Sequence, residues 1–153
     1  VGRYANDTIY LEVADIQKVP PTQIMENLFG YHKRFDIDAC AVEAIQFQEY
    51  FASEIENNAH YRKQSLKIEP IKNFKDKYLR ILRLQSWVKN GWIRFKPYMT
   101  TLFNHLKYFP NGDHDDGADA QEMLTQLIEK GLPGPSEYES LRKRGIDVNQ
   151  RGF

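Results

Sequence analysis

Cysteine is almost missing from this chain. Cys40 is the single one in 153 residues, so no internal disulfide can form and packing must hold the fold. No apolar run approaches membrane-spanning length, and nothing at the N-terminus reads as a signal peptide. A GxxxxGK[ST] loop is absent, which excludes that phosphate-cradling ATP site. Cys and His show none of the spacing that structural zinc needs. Net charge is missing as well, since 21 Lys/Arg balance 21 Asp/Glu. The composition that remains, 41% hydrophobic and 27% charged, is that of a soluble globular domain with a real core. Cys40, inside the apolar run "DACAV", is expected to be a buried structural thiol and not a nucleophile.

Zero net charge hides an asymmetry. Between Arg62 and Lys107 there are twelve Lys/Arg against two acids, Glu69 and Asp76, so this segment is +10 and the remainder is −10. A basic middle beside an acidic end fits a polyanionic partner together with a divalent-cation site, although a solvated charged face explains the charge equally well.

Periodicity predicts the elements. "TIYLEVADIQKV" (8–19) alternates and reads as a strand, with "VGRY" before it as the end of a preceding hairpin strand and "ANDT" as the turn. Prolines and Thr22 open a helix over 20–35, with Ile24, Leu28 and Tyr31 on one face. "IDACAVEAI" (37–45) is continuous enough for a buried parallel strand. A helix over 46–61 aligns Phe47, Tyr50, Phe51 and Ile55, and a strand follows over 66–71. The helix at 74–91 carries a Tyr78, Ile81, Leu82 stripe and stops at Asn-Gly. A short strand (92–96), a helix (98–109) and the helix "ADAQEMLTQLIEK" complete the order. Strands alternating with helices predict an α/β mixed sheet with an antiparallel hairpin. Residues 131–153 are polar and broken by Gly and Pro, which predicts a tail.

"GDHDDGADAQEMLTQLIEKG" (112–131) collects four aspartates and a histidine before an amphipathic helix. Asp116 and Asp119 are three apart and share a face. The same stripe continues through Ala120, Met123, Leu124, Leu127 and Ile128, which predicts that both acids aim at the sheet. A helix N-terminus favours each carboxylate by roughly 0.3–1 kcal/mol, too little to offset their mutual repulsion in a partly dry cleft. A divalent cation would offset it. Glu43 ends an apolar strand at the edge where open α/β sheets place ligands. Three carboxylates form a hard oxygen site suited to Mg²⁺ or Mn²⁺. Taken singly, Asp113 and Asp115 read as helix caps, Asp116 as a first-turn acid and Glu43 as a paired surface residue.

Three segments in this order resemble one family. "FPNGDHDDGADA" (109–120) looks like the last acidic motif of the C-terminal nuclease domain of phage terminase large subunits. "VEAIQFQEYF" (42–51) resembles its middle motif, and "NFKDKYLRILRLQSWVKNGWIRFKP" (73–97) its connecting region. The resemblance implies an RNase H-like sheet flanked by helices over 1–130 and two-metal cleavage of double-stranded DNA during genome packaging. It assigns catalytic roles to Glu43, Asp116 and Asp119, with Asp115 as a further metal ligand. Lys72, Lys75, Lys77, Arg80 and Arg83 become candidate phosphate contacts, although the last three also read as flanks of a buried stripe. The family's first catalytic Asp belongs on a strand upstream of the opening hairpin. No acid here matches it, since Asp7 falls in the turn, so the chain reads as a nuclease domain truncated in its first elements, its activity in doubt.

The same resemblance implies a portal protein and a terminase small subunit as partners, no membrane, host cytoplasm as location and a monomeric isolated domain. Two other readings compete: a resolvase- or transposase-like nuclease of the same superfamily, and a catalytically dead docking module using Glu137 to Arg144. His114 reads as a cap-region side chain before it reads as a general base. Trp87 and Trp92 read as packing, because a stacking platform for single strands requires exposed aromatics flanked by cations.

Overall fold

A computed structural model describes residues 1–44, 46–61, 63, 66–72 and 76–131, without the side chains of 46–50 and 59–61. The expected tail lies outside the described residues from 132 onward. The elements are β1 (Gly2–Ala5), β2 (Thr8–Leu11), α1 (Pro21–Phe35), β3 (Ala39–Glu43), α2 (Gln46–Tyr61), β4 (Lys67–Ile71), α3 (Lys77–Lys89), β5 (Ile93–Arg94), α4 (Thr100–Tyr108) and α5 (Asp116–Gly131). The α/β order matches the one read from periodicity. β2 is shorter than expected, ending at Leu11 and not at residue 19.

One mixed sheet over 1–130 was expected. The described strands instead form two sheets, β1-β2-β5 and β3-β4. The chain correspondingly divides into two compact units, Val1–Ala14 with Tyr78–Phe153, and Asp15–Lys77.

In the first unit, Asn6 and Asp7 both take positive φ, 49° and 56°, the geometry of a two-residue hairpin turn. β1 therefore pairs antiparallel with β2, and β2 pairs parallel with β5. Alternation sends Ile9, Leu11 and Ile93 into the core. A Cβ at Gly2 would stand 2.6 Å from Leu124 Cδ2, so α5 lies close over this face of the hairpin. On the opposite face Glu12 accepts from Arg3 Nε at 3.0 Å and pairs with Lys96 Nζ at 2.6 Å. These two cations hold the Glu12 carboxyl below its ordinary value. α3 ends as the Asn-Gly signal predicts. Gly91 sits at φ 76°, its N–H donates to Val88 O, and Trp92 N–H donates to Trp87 O, a Schellman closure.

Two faces differ from the reading by apolar spacing. On α3, Ile81 and Leu84 are buried and Tyr78 is 46% exposed. On α5 the buried residues are Gly117, Ala118, Gln121, Glu122 and Thr125. Small residues there let α4 approach with Leu102 and Leu106, and Thr125 Oγ1 donates back to Gln121 O at 2.9 Å.

In the second unit, β3 and β4 run parallel, Ala39 opposite Lys67 through Glu43 opposite Ile71. Phe29 of α1, Ile55 of α2, Leu66 and Ile68 form the core, with Met25, Leu28, Cys40, Val42 and Phe51 packed around it. Each fully buried side chain of this kind stabilises by about 1.5–3 kcal/mol. α1 thus turns Met25, Leu28 and Phe29 inward and leaves the expected Ile24 42% exposed. The Tyr31 hydroxyl donates to Asp15 Oδ2 at 2.6 Å. Burial pushes the Cys40 thiol up to about 11, as suits a structural cysteine. No described helix is long and apolar enough to cross a membrane.

Candidate functional site

Parallel pairing fixes the first part of the site. Because β3 and β4 run parallel and side by side, both strands end at the same edge of the sheet, at Glu43 and Ile71. Ala44 N–H donates to Ile71 O at 2.9 Å, which extends the ladder one residue past Glu43. A cavity of about 260 Å³ opens there, lined among others by Glu43, Ala52, Ser53, Glu56 and Lys72. Glu43 is half-buried, and Lys72 is exposed. A strand-end carboxylate, a helix carboxylate about three turns into α2 and a lysine just beyond β4 thus share one concavity. This combination can bind a phosphate through the ammonium while keeping carboxylates beside it. Glu56 and Ser53 were not singled out by sequence. Their signal was their spacing, three apart on α2, beside Ala52.

The second part is the N-terminus of α5 in the first unit. Asp115 O accepts from Ala118 N–H at 2.8 Å and Asp119 N–H at 3.0 Å. The Gly117 N–H donates to His105 Nδ1 at 3.1 Å, so an imidazole from α4 satisfies one of the helix's orphan amides. His114 is exposed, its ring centroid 6.2 Å from that of His105. Asp113 and Asp116 are exposed and Asp119 is half-buried. The expected stripe from Asp116 and Asp119 into the core is therefore corrected: the inward acid of α5 is Glu122, 1% exposed.

Glu122 explains where two of the basic residues went. Arg80 Nη1 donates to Glu122 Oε2 at 2.6 Å, and Gln126 Nε2 donates to the same oxygen at 2.7 Å. Arg83 reaches Glu122 Oε1 at 3.4 Å and Glu129 at 3.0 Å. Its guanidinium also lies 5.2 Å from the Trp87 ring. Arg80 Nη2 stands 3.7 Å from Asp119. The Arg80 side chain is 9% exposed, so α3 uses it against α5, and it is not open to a phosphate. Arg83 is likewise engaged. Of the five candidate phosphate contacts, Lys72 and Lys77 stay at or near the surface, and Lys75 lies outside the described residues.

Glu43 belongs to the second unit, and Asp115, Asp116 and Asp119 to the first. Among the described residues, no group of three His, Cys, Asp or Glu side chains is gathered to hold a metal ion. The chain matches no protein-family model, no curated protein and no solved structure.

Proposed function

We propose that this chain is a metal-dependent nuclease domain of the RNase H-like type, similar to the nuclease of phage terminase large subunits, acting on double-stranded DNA. One observation carries the reading: Glu43 stands half-buried at the C-terminal end of a parallel strand and lines a cavity that also holds Lys72. That edge is where α/β sheets place their ligands, and an acid beside a lysine there suits a phosphodiester. The run of aspartates at the start of α5 adds support, because it offers oxygen ligands at a helix end.

Bound Mg²⁺ or Mn²⁺ would supply the Lewis acidity for activating water and neutralising the leaving oxygen. Glu43, Asp116 and Asp119, with Asp115, are the residues that would hold it. Lys72 and Lys77 would meet the phosphate backbone, giving affinity with little sequence preference and a steep salt dependence. A portal protein and a terminase small subunit are the partners this reading carries, with host cytoplasm as the place of action.

Mn²⁺ titration followed by amide NMR tests the donor set. A single ion should broaden the amides of Glu43 and Ala44 together with those of Gly117 to Asp119. Broadening of one group alone would sink the shared site. Plasmid nicking in Mn²⁺ by this chain, and by one extended upstream, tests the activity. Loss of nicking in a folded Glu43→Gln variant is expected.

A further inference from the structure

The outward face of the three-stranded sheet carries a pattern that the nuclease reading does not use. Alternation opposite to Ile9, Leu11 and Ile93 places Arg3, Tyr10, Glu12 and Arg94 on this face. The register sets Arg3 opposite Tyr10 and Tyr10 opposite Arg94. A cation, an aromatic ring and a second cation therefore cross all three strands in one row. The Arg3 guanidinium lies 4.7 Å from the Tyr10 ring centroid, and Arg94 Nε reaches only the Gly91 carbonyl, at 3.4 Å, among the described residues. Beside this row, Glu12 is the face's carboxylate, and it is already shared by Arg3 and Lys96. Three cations against one carboxylate leave the face positive. Trp92, next to β5, is 49% exposed, its ring edge-on to Trp87 at 5.9 Å.

The segment from Tyr78 to Gly112, which contains β5, carries no acid at all. A half-buried tyrosine ring set between two cations, with the exposed Trp92 beside them, matches one kind of occupant. An unpaired nucleic-acid strand offers both flat bases and phosphates at short intervals, so bases stack on rings and guanidinium planes while cations track the backbone. A duplex keeps its base planes inside the stack and would engage only the charges. An acidic peptide offers flat rings only where it carries aromatic side chains, and not one for each charge. We propose that the β1-β2-β5 face binds an unpaired nucleic-acid strand, with Tyr10 and Trp92 as stacking surfaces and Arg3 and Arg94 as backbone contacts. This site lies wholly in the first unit and does not involve Glu43.

Fluorescence anisotropy of the full chain with a labelled oligothymidine of roughly 20 nucleotides, in EDTA so that cleavage plays no part, tests it. Oligothymidine should bind at least about tenfold tighter than a duplex of equal length, with Trp92 fluorescence quenched. Tyr10→Leu and Trp92→Leu should each weaken binding by roughly 5- to 150-fold, and Tyr10→Phe should restore it. Arg94→Gln should weaken binding and flatten its salt dependence between about 50 and about 200 mM. Equal affinity for duplex, no binding at the lower salt, or unchanged binding by a folded Tyr10→Leu variant would each overturn the proposal. Thermal melts of every variant separate lost binding from lost folding. Arg94→Gln, at an exposed side chain, keeps the test decisive if Tyr10→Leu fails to fold, since unchanged affinity and salt slope there would equally overturn the proposal.

Discussion

Arg80 and Glu122 meet at 2.6 Å between α3 and α5, the two side chains 9% and 1% exposed. Dehydrating two charges costs several kcal/mol each, and their attraction repays this only with good geometry and further hydrogen bonds. Here Gln126 supplies one such bond and Arg83 a second cation. The pair decides which sides of α3 and α5 face inward, against the apolar stripes that spacing alone would choose.

Removing one partner should therefore cost far more than removing both. Glu122→Ala is expected to destabilise the first unit by roughly 3–5 kcal/mol, because Arg80 keeps a buried charge. Arg80→Met with Glu122→Leu should fall within about 2 kcal/mol of the natural chain. Both tryptophans, Trp87 and Trp92, lie in this unit, so urea unfolding followed by tryptophan fluorescence reads it selectively. An equal loss in the single and double variants would refute the account.

His105 provides a second check on how α5 begins. Its Nδ1 accepts the Gly117 N–H at 3.1 Å, which requires the neutral ring with that nitrogen unprotonated. His105→Ala should cost about 1 kcal/mol, the usual cost of losing a side-chain cap. Amide hydrogen exchange at Gly117 should accelerate more than exchange at Thr125 in the same helix. Uniform acceleration along α5 would mean that His105 acts through packing.

Much of the architecture was legible in the sequence, and the reasons differ by feature. Element order followed from period, and the stop of α3 from Asn-Gly, because both are local. Strand pairing is not local, so nothing in the sequence divided five strands into two sheets. Faces failed where burial was polar. Counting apolar residues placed Met123 and Leu127 inward on α5 and overlooked Glu122, since the reason for its burial sits on another helix. Tyr78 looked apolar but lies outward. In the candidate site, Glu43 was legible because an acid ending an apolar strand is unusual. Glu56 was not, since a glutamate on an amphipathic helix looks like ordinary solvent-facing surface until β3 and β4 are in place.

Tyr31 and Asp15 give a pH signature for the second unit. The hydroxyl donates to the carboxylate at 2.6 Å, and that bond, ahead of burial, pushes the Tyr31 pKa up to about 12. A raised pKa means that the protonated form is favoured in the fold. The contribution is complete below the ordinary value of 10.0 and is lost as pH rises through about 12. Absorbance titration should show a late-ionising tyrosine that is absent in Tyr31→Phe. That variant should lose about 1 kcal/mol near neutral pH, read by amide exchange in α1. A titration unchanged by the substitution would assign the late group elsewhere.

Arg80 and Lys72 separate structure from DNA contact. Both stood among the candidate phosphate contacts, yet Arg80 is committed to Glu122 while Lys72 is exposed at the mouth of the cavity beside Glu43. Lys72→Ala should leave stability within about 0.5 kcal/mol and weaken duplex binding. It should also lower the slope of log affinity against log salt by about 0.9, the loss expected for one phosphate contact. Arg80→Met should do the reverse, lowering stability while leaving duplex affinity per folded molecule unchanged. The two measurements share a sample, since unfolding is followed by fluorescence and binding by anisotropy at matched salt. If Arg80→Met lowers the salt slope at full stability, the guanidinium leaves Glu122 to reach phosphate, and the α3–α5 pair is a resting contact that DNA replaces.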